Sequence, residues 1–185
     1  VSIRVPASGG IPRPSVPLKT EAAEGVRVCL YVLRMRLRNR IVVDVLTVGP
    51  TEAVGAAWCR TAAQQLRRLA DEAETNGRRA AELLDGSTGA PGLAEAPHDY
   101  RWLDVPYLRR RARVGQRVAG RLRSLAGDRQ EVLRLVREAG TQAGDEITVN
   151  ASRLEAADAA LVLGRVEALS ERLVALGRRP RRRRR

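Results

Sequence analysis

The first stretch of sustained apolar order is GVRVCLYVLRMRLRNRIVVDVLTVGP (25–50), dense in β-branched residues and leucine. From Leu33 to Leu37 it alternates apolar and basic positions, the period-2 mark of a strand with one exposed face. Folding it about Asn39 gives a β-hairpin over 26–48, with Arg38-Asn39-Arg40 as its loop. That register sets Leu37 opposite Ile41, Met35 opposite Val43 and Leu33 opposite Val45 on one face, and Arg34 opposite Asp44 on the other. An isolated hairpin is marginal in water, so it must dock on helices or on a second copy. The competing reading, a helix through 25–48, scatters Val and Ile around every side.

Beyond Pro50-Thr51 the period changes. Val54, Trp58, Ala62, Leu66, Leu69, Ala73, Ala80 and Leu83 follow four–three spacing, which predicts a long helix to about Leu84 with Gly77 as its weak point. GSTGAPGLAEAPH (86–98) reads as a loop. A third helix is expected from Asp104-Val105-Pro106, with Asp104 as cap, to Gly127. Asp128-Arg129-Gln130-Glu131 has capping-box spacing and opens a fourth helix through about Ala139. GTQAGDEITVNA (140–151) reads as a loop or short strand. Ser152-Arg153-Leu154-Glu155 is a second capping box, opening a helix to Leu176 that Gly177 ends. Along it Val162, Val166, Leu169, Leu173 and Leu176 repeat the four–three spacing.

The fold class expected from this pattern is mainly α with a small β part (α+β). One domain over 21–177 packs its N-terminal hairpin on about four helices, between a flexible arm (1–20) and a disordered tail (178–185). A chain of 185 residues, 44% hydrophobic, is long enough to bury one core. No secretory h-region and no bilayer-length apolar run occurs, so a soluble, cytoplasmic protein is expected.

Charge changes the picture more than composition does. The formal net charge is +13, and all but one of the 34 basic residues are Arg, the exception being Lys19. Preference for Arg over Lys follows from GC-rich codons, so placement is more informative than abundance. Residues 105–127 and residues 178–185 each carry seven Arg and no acid, while the rest of the chain is close to neutral. On a helical wheel Leu108, Ala112, Val114, Gly115, Val118, Ala119, Leu122, Leu125 and Ala126 share one arc. Arg109, Arg110, Arg113, Arg117, Arg121 and Arg123 fill the opposite arc, and Arg111 lies among the apolar residues. The segment is a cationic amphipathic helix (105–126).

Six guanidinium groups on one face, with no carboxylate among them, repel each other and favour a partner with regularly spaced negative charge. A nucleic-acid backbone, DNA or RNA, supplies it and releases counterions on binding. The tail, with Arg181, Arg182, Arg183, Arg184 and Arg185 at its end, buries nothing and adds sequence-independent affinity. The alternatives are an acidic protein partner, making the chain an adaptor or assembly subunit and a possible homo-oligomer, or acidic helices of the same fold. An anionic membrane fits less well, because the apolar arc is largely Ala, Gly and Val. Arg34, Arg36, Arg38 and Arg40 mark a third basic spot at the hairpin tip, with the solvated face of an edge hairpin as the plainer account.

Candidate catalytic chemistry is sparse. His98 is the one histidine and sits in the Pro-containing loop beside Asp99. Lys19 lies outside any Gly-Lys pair, which excludes a P-loop, and neither G-x-S-x-G nor H-E-x-x-H occurs. Cys29 and Cys59 are too few for a zinc site and read as buried thiols, with a disulfide as the alternative. No cofactor or metal is implied. Five aromatic residues are too few for base stacking as a main binding mode. The function expected is therefore non-enzymatic association with the phosphate backbone, with little reading of sequence.

Overall fold

The computed structural model describes residues 16–88 and 101–177. The first part of the expected arm, residues 89–98 of the expected loop with His98, and the whole Arg tail lie outside the described residues.

The segment expected to be a hairpin is helical. Helix α1 runs Leu18–Thr47 and carries Arg38-Asn39-Arg40 in its interior. The architecture among the described residues is all-α, with no strand, which corrects the α+β expectation. The reason lies in the arithmetic of the two periods. Leu33, Leu37, Ile41 and Val45 are spaced by four, so they satisfy both a strand face and a helix face, and all four are fully buried. Positions that separate the readings favour the helix: Val43, a partner in the hairpin register, is 55% exposed, whereas Asp44, on its opposite face, is buried. Scattered β-branched residues do lie on α1's outer side, Val28 and Val43 among them. Burying a four-residue stripe is worth several kcal/mol, at about 1.5–3 kcal/mol per large side chain. That outweighs the few tenths per residue by which Val and Ile disfavour a helix.

Asp44 is the pivot of the first corner. Its Oδ2 accepts from Trp58 Nε1 and from Arg40 Nε, both at 2.9 Å. Its backbone carbonyl accepts from the amides of Val48 and Gly49. Gly49 takes φ +88, the left-handed conformation that turns the chain out of α1. Thr51 Oγ1 then accepts from Val54 N and opens α2, Glu52–Thr88.

Helix α3 spans Arg101–Gly127, beginning before the expected cap Asp104 and taking Pro106 inside it. It lies antiparallel on α2. At their crossing Gly77, expected as a break, meets Gly115 instead. A Cβ on Gly115 would stand 2.7 Å from Ala73 O and 2.9 Å from Gly77 Cα. The two backbones thus touch where neither residue has a side chain.

Asp128 caps α4, Arg129–Ala151, accepting from Gln130 N and Glu131 N as its capping box predicts. The expected loop or strand at 140–151 is the second half of this helix. Its glycines are a contact rather than a break: a Cβ on Gly140 would stand 2.6 Å from Leu173 Cδ2 on α5. Helix α5, Ala156–Ala175, begins four residues after Ser152 with Glu155 at its N-cap, and Ser152 donates back to Val149 O. It returns antiparallel along α4 and ends at Gly177, φ +91.

Ion pairs give the remaining directions. Arg34 pairs with Glu138 and Arg38 with Glu146, so α4 runs parallel to α1. Helices α1, α2 and α4 each touch all four others, and the most extensive contact is between α2 and α3. The core gathers Leu33, Leu37 and Ile41 with Trp58 and Leu66 of α2, Leu122 of α3 and Leu135 of α4. Cys29 and Cys59 are free thiols, both raised above the ordinary range chiefly by burial. Their charged neighbours differ, Glu72 for Cys29 and Arg129 with Arg137 for Cys59. No described helix is long and apolar enough to cross a membrane.

Candidate nucleic-acid interface

Helix α3 buries Val118, Ala119, Leu122, Leu125 and Ala126, the heart of the predicted apolar arc. The opposite arc faces outward, as the wheel requires, and holds the six candidate arginines. Two are neutralised within the fold. Arg110 pairs with Glu21 of α1 and donates to Val16 O. Arg123 pairs with Asp71 at 2.9 Å and with Glu74, both on α2. Arg123 holds the Glu74 carboxyl below the usual carboxylate range by a hydrogen bond and by its charge, while its own affinity for a proton rises in return.

The other four, Arg109, Arg113, Arg117 and Arg121, are exposed and have no ion-pair or hydrogen-bond partner among the described residues. They follow one another at four-residue steps, so their Cα atoms rise about 6 Å each along the axis and span about 18 Å in all. Each step also advances about 40° around the helix, so the cations form a shallow spiral. Gly120 lies within this arc with open space beside it, leaving room for a partner to come close to the α3 backbone.

Two cations belong to this surface that the wheel did not assign to it. Arg111 sits on the apolar arc by angle, yet it is exposed and has no partner among the described residues. Tyr107, one turn earlier, is 58% exposed. Lys19 lies in the segment expected to be a flexible arm, but α1 already includes it. It lines a groove of about 330 Å³ together with Ala22, Ala23 and Val26 of α1 and Arg117 and Arg121 of α3. Nothing in the local sequence around Lys19 signalled this, since the contact depends on how α1 crosses α3. The crossing itself is fixed by Gly25, where a Cβ would stand 2.9 Å from Val118 Cγ2.

The third basic spot dissolves. Arg34, Arg36, Arg38 and Arg40 alternate along a strand but circle a helix. Arg34 and Arg38 reach the carboxylates of α4, Arg40 reaches Asp44, and Arg36 is 3.5 Å from Gln65 Oε1. Two further arginines serve helix ends: Arg165 donates to Val45 O and Leu46 O at the end of α1, and Arg137 to Leu173 O and Leu176 O at the end of α5, while Arg172 donates to Pro50 O in the α1–α2 connection. Positive charge at the negative end of a helix dipole stabilises it. Among the described residues no group of His, Cys, Asp or Glu is placed to hold a metal ion. The tail arginines Arg181, Arg182, Arg183, Arg184 and Arg185 lie outside the described residues. Comparison of the chain with protein families, with curated proteins and with solved structures finds no match.

Proposed function

We propose that this protein is a non-enzymatic nucleic-acid-associated protein that grips the phosphate backbone along α3. Arg109, Arg113, Arg117 and Arg121 make the contacts, with Lys19 and Arg111 at the margins and Arg181 to Arg185 as a tether. The observation that carries this reading is the unpaired spiral of four guanidinium groups on a helix whose other face is buried. Among the described residues the fold neutralises Arg34, Arg38 and Arg134 with its own carboxylates and leaves these four, consecutive at four-residue steps, without any. Unpaired cations held close together repel one another, and a backbone phosphate array relieves that repulsion while releasing counterions.

Binding of labelled duplex DNA and duplex RNA by fluorescence anisotropy, over a series of salt concentrations, tests the reading. Four helix contacts give a slope of log affinity against log salt of about −4, steepened by the tail. Truncation after Gly177 flattens the slope and leaves the helical signal intact. Arg113→Glu with Arg117→Glu weakens binding more than truncation does. Absence of salt-dependent binding to either duplex refutes the proposal.

A second reading, an acidic protein surface in place of phosphate, draws on Arg110 and Arg123, which the fold already matches with carboxylates. A partner that co-purifies after nuclease treatment and removal of the tail distinguishes it.

A further inference from the structure

Helix α5 presents to solvent a face unlike any other described surface helix face in the molecule. Ala156, Ala160, Gly164 and Ala168 recur at four-residue steps on it, flanked by Leu163 and Val174, and all are exposed. Its only charges are Glu167 and Glu171, both exposed and without a partner among the described residues. A solvated helix face normally carries mixed charge. This one is small, apolar and acidic, the composition of a surface that another helix can approach closely.

The counterpart is the groove between α1 and α3. Its floor is Ala22, Ala23 and Val26, also small and apolar, and its rim is Lys19, Arg117 and Arg121 with no acid among the lining residues. Floor matches face in size and polarity, and the rim is opposite in sign to Glu167 and Glu171. The two cannot meet within one chain. Helix α5 touches α1 at its C-terminal end, where Arg165 holds Val45 O and Leu46 O, whereas the groove lies on residues 19–26. At 1.5 Å per residue the separation along α1 is about 30 Å.

We infer that the outer face of α5 of one copy docks into the α1–α3 groove of a second copy, Glu167 and Glu171 meeting Lys19, Arg117 and Arg121. Because two different patches are joined, the contact is head-to-tail and each added copy leaves one free groove and one free α5 face. The chain thereby assembles into open or ring-closed oligomers. The inference does not rest on the nucleic-acid reading; it shares Arg117 and Arg121 with it, so polyanion binding and assembly compete.

The test is sedimentation velocity on the full-length, nuclease-treated chain, with far-UV circular dichroism of every variant. Wild type increases in mass with concentration at low ionic strength and returns to monomer as salt is raised. Glu167→Arg with Glu171→Arg, and separately Lys19→Glu with Ala23→Glu, each weaken association about a hundredfold by placing like charges across the contact. Mixing these two variants restores association, since one variant retains the groove, the other retains the α5 face, and the two altered surfaces carry opposite introduced charges. A wild-type chain that stays monomeric at every concentration overturns the inference, as does a dimer unaffected by both variants, or a mixture that stays monomeric. If a double variant loses helicity, the single changes Ala23→Glu and Ala160→Arg, both at exposed positions, are read in the same way. Loss of duplex binding with assembly intact counts against the function proposed above and leaves this contact standing.

Discussion

Asp44 and Arg123 are the two residues whose neighbours decide the most. Asp44 is buried with its carboxylate divided between Trp58 Nε1 and Arg40 Nε. Asp44→Ala strands the indole N–H of a Trp that is 1% exposed, and is expected to cost about 1–3 kcal/mol, measured as a lowered urea midpoint. Arg123 is withheld from solvent partners by Asp71 and Glu74. Asp71→Asn with Glu74→Gln sets it free, and duplex affinity at neutral pH is expected to rise a few-fold, with a salt slope steeper by about 0.9. Acid has the same effect in wild type. Glu74 titrates below the usual carboxylate range, so Arg123 stays occupied through neutral pH and is released only as the pH falls below that range. A double variant that binds no better than wild type removes Arg123 from the interface.

The helices met their expected course where the pattern was unambiguous and departed from it at glycine and at Leu33–Val45. Trp58, Ala62, Leu66, Leu69, Leu169 and Leu173 are buried as four–three spacing predicts, and Asp128 caps α4 as its capping box predicts. Leu83 keeps the spacing yet is 63% exposed, although Ala80 just before it is buried. Gly77, Gly140 and Gly144 lower helix propensity, which is the signal read as a break or a loop; what they gain, as Gly115 does, is interhelical contact that propensity does not register. The two crossings should respond differently to substitution. At Gly115 a Cβ meets backbone, which cannot move aside, so Gly115→Ala is expected to cost about 1–3 kcal/mol. At Gly140 it meets the tip of Leu173, which can rotate, and higher helix propensity offsets the strain, so Gly140→Ala stays within about 1 kcal/mol of wild type. Thermal unfolding of the two variants side by side checks this ranking.

Across the described residues the arginines divide in two: some, including Arg110 and Arg123 of α3, meet carboxylates or helix termini, while Arg109, Arg113, Arg117 and Arg121 form an exposed row with no partner there. Three like-charge pairs at four-residue spacing, from Arg109 to Arg121, cost the free protein stability of about 0.2–0.5 kcal/mol each. Arg113→Glu with Arg117→Glu converts two of the three repulsions to attractions and leaves one like-charge pair, so the variant is expected to melt a few degrees higher than wild type in the absence of ligand. Added duplex should raise the melting temperature of wild type more than that of the variant, because the native state of the former binds it more tightly. A variant less stable than wild type would mean that these arginines already have partners in the fold.

The sequence by itself determined where α2, α3 and α5 bury most of their apolar stripes, the outward direction of the α3 arginines, and the cap at Asp128. These depend on local spacing and short-range hydrogen bonds, which a linear pattern records. Only the tertiary structure decided that α1 is a helix, since four-residue spacing fits both periods and the choice falls to what packs against Leu33, Leu37, Ile41 and Val45. It alone decided which arginines stay charged toward solvent. Glu21, Asp71 and Glu74 lie roughly 50 to 90 residues from Arg123 or Arg110 in sequence, and the distance between such charges is set by helix crossings whose geometry depends on glycines at a few points of contact.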